Sequence, residues 1–514
     1  MSAPGLMVRC LASTRVAEVR QETESSGQHH ATNQNEDTAE AKEDRENLRE
    51  SQEDGDSIVL DDHLKHEHTA TPILSSSSDS SDYDDSESDS SGICSTTSQC
   101  ANPGKSMSCI QEAQLSPDGT CIFTSDYDRA FSVYPIGTDI LGSTTTQPLK
   151  VYSQFKSADP IWAFATNPFF NLQDSSSTLV LISRRDRYVT LHNALWDMNN
   201  PTNTTSATDS PIDIHTPLAS YKLINHLTEA ITAPLSLAYS NTGTHFFAGT
   251  QNSISIFDLS HTSDPISSIP TIPSARSKLK GGGRGFKGHI PALAVSPPTA
   301  ASAEGLLAAG SRTRYVGIYD AVSGAEVTHF SLPGTLEGKK LRSETLAPMM
   351  GDGVSSLKWS PCGRYLYIAE RDSDALLLYD VRSFSMALGY CAGRRARTKQ
   401  KLGFDVWNAG ASPYDVEGIA HEVWAGGTDG KIRVWKDPYL KEGAVEADEV
   451  VDVGGEEMPV VTTLVHASGS LAVAARGTMR VDVGTMEGGT RRGGGTRPRF
   501  SERGCLDILG LSSY

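Results

Sequence analysis

The sequence GGTDGKIRVWKD, Gly426 to Asp437, is the stretch from which the fold of this chain can be predicted. It opens with a polar turn of small residues that includes Asp429, and such residues tolerate tight backbone geometry. A strand follows in which apolar Ile432 and Val434 alternate with basic residues, and Trp435 closes it. This alternation predicts a half-buried β-strand that enters from a tight turn.

The same pattern of an alternating strand with a closing aromatic residue recurs along the chain. The steps between successive closing aromatics are 62, 61, 62, 60 and 56 residues. This is the turn and third strand of a WD-repeat blade, which ordinarily recurs every ~40–45 residues, so we expect inserted loops. One clear Gly-His dipeptide of the WD pattern ends at His289. The closing aromatics are Tyr134, Trp196, Phe257, Tyr319, Tyr379 and Trp435.

The repeat predicts an all-β fold, a seven-bladed WD40 β-propeller spanning residues 106–514. In the seventh blade, residues 459–466 and 470–477 supply two strands. The third strand is either residues 478–483 or residues 505–511, and the pattern leaves both open. Closure of a propeller removes exposed strand edges, so the last strand is expected from just before blade one.

Residues 1–105 are predicted to be a disordered acidic tail rich in Ser and Asp. Residues 1–108 hold 22 acidic and 8 basic side chains, a net charge of -14 out of -18 for the whole chain. Such a polar stretch, nearly free of aromatic residues, cannot bury enough apolar surface to offset the entropy of ordering. Within it, Ser75 to Ser91 suits acidophilic kinases, and a solubilising tail without regulation is the alternative.

A more specific signal lies in the segments Tyr221 to Leu259, Ala292 to Asp320 and Gly353 to Arg382, and in Lys401 to Asp405. These segments resemble one particular family, the telomerase Cajal-body WD-repeat proteins and their fungal relatives. The resemblance implies a nuclear propeller that binds small nuclear RNA, such as telomerase or guide RNA, or acts in splicing. It further implies ribonucleoprotein components as partners, and we expect a monomer with no membrane segment.

Basic loops between the predicted blades are the candidates for RNA contact. Loops run over the surface, where Lys and Arg can contact phosphates. The alternatives are solvated spacers or, for the segment 394–401, a nuclear-import signal. A further Gly/Arg stretch runs from Arg491 to Arg499. The leading RNA-binding candidates are Arg394, Arg395, Arg397, Lys399, Lys401, Lys278, Lys280, Arg284 and Lys287.

The sequence offers no catalytic constellation, so we expect a protein that is not an enzyme and that holds no cofactor or metal ion. Gly281 to Gly285 is Gly-rich but lacks the strand, Lys-Ser/Thr and helix of a phosphate loop. Two function classes remain open. One is an RNA-binding scaffold in ribonucleoprotein biogenesis, and the other is a general protein–protein scaffold with no direct RNA contact.

Overall fold

Seven sheets of four or five strands form the blades of a propeller, which confirms the predicted fold class. The computed structural model of the chain describes residues 6–15, 107–197, 210–225, 228–262, 264–274, 285–299, 302–336, 339–341, 343–408, 419–453, 458–482 and 499–513. In these ranges the helices are three short 3-10 turns, Ile140–Gly142, Ala347–Met349 and Pro438–Leu440. No helix of the described part is long and apolar enough to span a bilayer.

Each blade consists of four main strands, and the first strand of each blade lines the central channel. In chain order the strands are β1 Leu6–Ser13, β2 Ile110–Leu115, β3 Cys121–Asp126, β4 Ala130–Pro135, β5 Gln147–Pro148, β6 Ser153–Lys156, β7 Ile161–Thr166, β8 Leu179–Arg184, β9 Val189–Asn193, β10 Ile212–Asp213, β11 Ala219–Tyr221, β12 Ser236–Tyr239, β13 His245–Gly249, β14 Ser253–Asp258, β15 Ser267–Pro270, β16 Ala292–Val295, β17 Leu306–Gly310, β18 Tyr315–Asp320, β19 Glu326–Ser331, β20 Thr335–Leu336, β21 Lys339–Lys340, β22 Val354–Trp359, β23 Tyr365–Glu370, β24 Leu376–Asp380, β25 Gly389–Cys391, β26 Phe404–Trp407, β27 Glu422–Gly426, β28 Lys431–Lys436, β29 Gly443–Val445, β30 Glu449–Asp452, β31 Val460–Val465, β32 Leu471–Asp482 and β33 Arg499–Ser513.

The blades follow the chain from blade 1 to blade 7. Blade 1 contains β2, β3, β4 and β6, and blade 2 contains β7, β8, β9 and β11. Blades 3 and 4 are β12 to β15 and β16 to β19, and blade 5 is β22 to β25. Blade 6 contains β26, β27, β28 and β30, and blade 7 contains β31, β32, β33 and β1. The hydrophobic core is divided into clusters that mostly join residues of two adjacent blades.

The closing aromatics pack in this core as the pattern predicts. Trp435 is fully buried, and its indole Nε1 donates a hydrogen bond to the carbonyl of Val445 at 3.0 Å. The buried ring of Phe257 stacks on Phe246 with centroids 4.8 Å apart. Tyr319 and Tyr379 are also buried. Burial of large aromatic rings contributes strongly to core stability, which explains why these positions recur.

In blade 2 the predicted closing aromatic, Trp196, is wrong. The strand β9 ends at Asn193, whose side-chain oxygen accepts hydrogen bonds from the backbone N–H groups of residues 195 and 196 and so turns the chain. Trp196 therefore lies beyond the strand and only partly buried. His192 stands opposite Val180, as Trp435 stands opposite Val423 in blade 6. The closing position is thus filled by a buried histidine.

The ring is closed by the strand β1, which pairs antiparallel with β33 from Leu6↔Ser513 to Ser13↔Asp507. The expectation of no fixed structure over residues 1–105 is therefore wrong for residues 6–13, and so is a closing strand from just before blade one. The physical reason is that Leu11 and Ala12 are apolar and buried in blade 7. Of the two candidates for the third strand of blade 7, residues 505–511 are correct, since residues 478–482 continue β32.

A buried polar network joins β1 to its neighbours. The hydroxyl of Ser13 donates to Asp507 Oδ1 at 2.6 Å, and Arg476 forms an ion pair with the same carboxylate. The thiol of Cys505 also donates to Asp507 Oδ1, at 3.0 Å. Each of these polar groups would cost free energy if buried alone, so the network requires all three of its strands to be in place.

The inserted loops add a fifth strand to three blades. β5, from the loop between the third and fourth strands of blade 1, pairs parallel with β1 of blade 7. β10, from the same loop of blade 2, pairs parallel with the outer strand of blade 1. β29, from the same loop of blade 6, pairs parallel with the outer strand of blade 5. The insertions therefore cover outer edges that are otherwise open to pairing with other chains.

We expect Leu11→Ala to lower the free energy of unfolding by about 2–5 kcal/mol, because it removes buried methyl groups from blade 7. Leu11 is 1% exposed, whereas Met7 on the same strand is 48% exposed. The matched control Met7→Ala should change stability by no more than about 0.5 kcal/mol. Denaturant titration of both variants measures the difference, and equal effects would show that β1 does not pack in the ring.

His192 should make the fold sensitive to acid. Burial lowers the pKa of His192 from 6.5 to about 4, so the unfolded chain takes up this proton first as the pH falls. Its contribution to stability is complete above pH 6.5 and is lost as the pH falls toward 4, by roughly 3 kcal/mol. In His192→Phe, the free energy of unfolding should depend less steeply on pH between about pH 6.5 and 4, by the equivalent of up to one bound proton. An unchanged slope would contradict this assignment.

Candidate nucleic-acid interface

The basic segment 394–401 joins the outer strand of blade 5 to the inner strand of blade 6. It lies on the face of the ring that carries the turns between second and third strands, which we call the upper face. The N–H of Thr428 donates to the carbonyl of Arg395 at 2.8 Å, and the N–H of Asp372 donates to that of Thr398 at 2.9 Å. These bonds tie the segment to the neighbouring turns of blades 5 and 6.

Arg394 is wrong as an RNA contact, because its side chain is completely buried. Its guanidinium donates to three backbone carbonyls, of Leu402 at 3.0 Å, Gly403 at 2.7 Å and Gly426 at 3.2 Å. Burial lowers the pKa of Arg394 to about 10, which leaves it charged at neutral pH. The residue therefore fastens the segment to blade 6 and is not available to a phosphate.

The other four cations of the segment are each placed beside an acid from another part of the chain. Arg397 Nε lies 3.0 Å from Asp374, and Lys401 Nζ lies 2.9 Å from Glu112. Lys399 pairs with Asp352, and hydrogen bonds from Lys399 and Lys340 lower the pKa of that carboxyl to about 2. Arg395 lies 3.9 Å from Asp429.

The expected concentration of positive charge is therefore largely neutralised. Lys401 is mostly covered, with a side chain 25% exposed, while Arg395, Arg397 and Lys399 are 69%, 50% and 72% exposed. The last three remain sterically open to a ligand. The sequence did not reveal the acidic partners of the four cations because these acids come from other parts of the chain, up to 289 residues away for Glu112, which lies in β2 and pairs with Lys401.

The other two basic stretches, residues 278–287 and 491–499, lie mostly outside the described residues. Lys278, Lys280 and Arg284 lie outside the described residues, as do residues 491–498. Lys287 is described, half-buried at the entry to blade 4, and its carbonyl accepts a hydrogen bond from Thr313. RNA contact by these residues stays a prediction.

The turn residues of the repeat have structural roles on the same face. Asp429 accepts two hydrogen bonds from Arg433, at 2.7 and 3.1 Å, and both side chains are about nine-tenths buried. Burial opposes the charge on Asp429, but the hydrogen bond from Arg433 outweighs it and lowers the pKa. His289 follows a glycine at φ +134° and forms a bridge to Gln251. Burial lowers the pKa of His289, so it stays neutral at physiological pH.

The central channel encloses a cavity of about 720 Å³. Its charged groups are paired with one another. Lys358 and Asp405, on the neighbouring inner strands of blades 5 and 6, lie 3.2 Å apart, and Lys401, before blade 6, reaches Glu112 on the inner strand of blade 1. Asp405 is held further by the N–H of Val465 at 3.0 Å. Among the described residues, no group of His, Cys, Asp and Glu is arranged to hold a metal ion. The paired charges favour a structural role for the channel.

We expect Arg394→Gln to destabilise the fold by about 2–4 kcal/mol, because it leaves buried carbonyls without donors. Arg395→Gln makes the same change at the next position, where the side chain is exposed, and should cost no more than about 0.5 kcal/mol. Unfolding by denaturant measures both. If the two variants were equally stable, the buried placement of Arg394 would be wrong.

Comparisons with known proteins give distant relatives of two names. The chain is 24% identical over 350 residues to guanine nucleotide-binding protein negative regulator 1 of Schizosaccharomyces pombe, covering 66% of this chain and 74% of that protein. It is 24% identical over 338 residues to telomerase Cajal body protein 1 of Rattus norvegicus, covering 63% and 51% of the two chains. The Mus musculus protein of that name is 23% identical over 367 residues, covering 69% and 54%.

No protein-family model matches the chain. The match spans about half the length of the mammalian relatives, so it does not cover their whole sequences. Together with the fold, the comparisons show a WD-repeat propeller with a distant, family-level resemblance to telomerase Cajal body protein 1 and to the fission yeast regulator.

Proposed function

We propose that this chain is a non-enzymatic nuclear scaffold that binds small nuclear RNA and assists ribonucleoprotein assembly. The observation that carries the proposal is the resemblance to telomerase Cajal body protein 1 over 63–69% of the chain. That name supports a nuclear, Cajal-body location and ribonucleoprotein partners such as telomerase RNA or guide RNA. A propeller presents many loops on one rigid frame, which suits a protein that holds several partners together.

The upper face supports RNA contact through Arg395, Arg397 and Lys399. Their side chains are at least half exposed. The acids beside Arg397 and Lys399 are partly exposed, whereas Asp429 beside Arg395 is mostly buried and held by Arg433. Surface ion pairs of this kind contribute at most about 1 kcal/mol each, so a phosphate can displace the carboxylate. Such an exchange releases fewer counterions than binding to unpaired cations, and we expect a shallow dependence of affinity on salt.

A second candidate is a protein–protein scaffold with no direct RNA contact. The neutralised charges of the segment 394–401 favour it, because a surface of paired charges has a weaker attraction for a polyanion. The name of the fission yeast relative, a negative regulator of a guanine nucleotide-binding protein, also fits a protein partner. The two candidates differ in whether the purified chain binds RNA.

The test is the affinity of the full chain for a labelled structured RNA, measured by fluorescence anisotropy at two salt concentrations. We expect binding at low salt that weakens as salt rises, and a loss of at least about tenfold in Arg395→Glu, Arg397→Glu, Lys399→Glu combined.

The matched control reverses Arg382, Lys436 and Lys441, which lie at the ends of third strands or after them, on the opposite face, and are likewise paired with acids. This variant should bind as the wild type does. No RNA binding at low salt would reject the RNA-binding role and leave the protein scaffold. Equal weakening in both triple variants would show a non-specific charge effect.

A further inference from the structure

A second cavity lies between blades 1 and 2, where β10 has been added to the outer strand of blade 1. Its volume is about 530 Å³. Residues from both strands and from the turn of blade 2 line it, among them Phe155, Lys156, Arg184, Asp213 and His215. We call it the β10 pocket. None of the basic loops selected from the sequence contributes to it.

Arg184, at the end of β8, is the unusual residue of the β10 pocket. Its guanidinium carbon lies 5.1 Å from the centre of the buried Phe155 ring, so a cation–π contact holds the group. Its Nε is buried without a hydrogen-bond partner. Arg184 has no hydrogen bond or ion pair within 4 Å with any described residue. Asp159 attracts it only from a longer distance, because that carboxylate is bonded to Arg187 at 2.8 Å. A half-buried, unpaired guanidinium is costly, which points to a missing anion.

Besides Arg184, the pocket contains a second cation without an ion pair and a carboxylate that accepts hydrogen bonds from a histidine. Lys156 is exposed, and its side chain forms no ion pair with a described residue. Asp213 accepts from His215 twice, from the ring Nδ1 at 3.0 Å and from the backbone N–H at 3.1 Å. The carboxylate is thereby engaged by the histidine, while Arg184 and Lys156 keep their donors available. The pocket carries a net positive charge.

The site between blades 5 and 6 shows that the architecture alone does not demand an unpaired cation. There β29 is added to the outer strand of blade 5 in the same parallel arrangement, beside a cavity of about 470 Å³. Its cation, Arg397, is paired with Asp374 at 3.0 Å, and Glu446 is a second acid in the lining. The two pockets thus share the same arrangement of strands but differ in charge, and of the two, the β10 pocket is the one with an unpaired guanidinium.

We propose that the β10 pocket binds a phosphate group of the RNA, with Arg184 as the main contact and Lys156 as a second cation. This inference rests on the proposed RNA-binding function and names a site for it. Arg suits the role because its planar fork can donate two parallel hydrogen bonds to phosphate oxygens. Phe155 holds the plane of the guanidinium in place before the ligand arrives, which reduces the entropy lost on binding.

The test compares Arg184→Gln with Arg187→Gln, which removes the same charge three residues away on the same turn. We expect Arg184→Gln to weaken anisotropy-measured binding of a labelled structured RNA by about tenfold, and Arg187→Gln by less than about twofold. Arg184→Lys should recover only part of the loss, because it keeps the charge but not the fork. Equal effects of the two Gln variants would overturn the proposal.

A thermal-unfolding experiment with adenosine monophosphate, against chloride at matched ionic strength, judges the pocket separately. The nucleotide should raise the melting temperature of wild type and Arg187→Gln but not of Arg184→Gln. If wild type binds no RNA yet shows this pattern, the proposed function fails and the phosphate pocket stands. If the nucleotide stabilises none of them, the pocket assignment is overturned. If a phosphoserine peptide displaced the labelled RNA at a lower concentration than unlabelled RNA does, RNA would be overturned as the source of the phosphate.

Unlike Arg394, Arg184 makes no hydrogen bond that its loss would leave unsatisfied. Arg184→Gln loses the cation–π contact with Phe155 but also removes a costly half-buried charge, so in the absence of ligand it should unfold within about 4 °C of the wild type. A larger fall in melting temperature would indicate that Arg184 mainly serves the stability of the fold, which would overturn the ligand-binding role.

Discussion

The pairing of β1 with β33 is the constraint on which the rest of the ring depends. A propeller is stable when every blade packs between two neighbours, and blade 7 meets this condition only with a strand from the other end of the chain. The carboxylate of Asp507, bonded to Ser13 and Arg476, is buried across that junction and requires both partners. Contacts of such long sequence separation are slow to form, so closure is expected late in folding.

Local patterns predicted the parts of the fold that local interactions determine. The hairpin before Trp435 and the buried rings of Tyr319 and Tyr379 follow from alternation and turn chemistry. In blade 2 the pattern predicted Trp196, but the turn made by Asn193 ends the strand earlier and leaves His192 in the closing position. β1 carries no such signal, because its partner lies almost at the other end of the sequence and a long acidic stretch follows it.

The candidate site was less predictable than the fold for a related reason. A run of Arg and Lys shows which charges are present, but their burial and their partners depend on tertiary structure. Arg394 became a structural residue because its backbone lies against blade 6, and the acids beside Arg397 and Lys399 come from turns of blade 5 and the segment before it. Arg184 was overlooked because it stands among three arginines around Asp186, and the sequence does not show which of them lies half-buried against Phe155.

The added strands β5, β10 and β29 also affect how the ring opens. Each comes from a loop of one blade and is hydrogen-bonded to the outer strand of the blade before it. Blades 7 and 1, blades 1 and 2, and blades 5 and 6 therefore share backbone hydrogen bonds. Among the described strands, no added strand joins blade 3 or blade 4 to a neighbour. Their backbone links to adjacent blades include single bonds at the blade entries, such as that from the N–H of Ile290 to the carbonyl of Thr250. Regions with fewer shared bonds open at lower free energy. The arc of blades 3 and 4 is thus the part of the ring where local unfolding requires the least disruption of neighbours, and native-state hydrogen exchange should be fastest there.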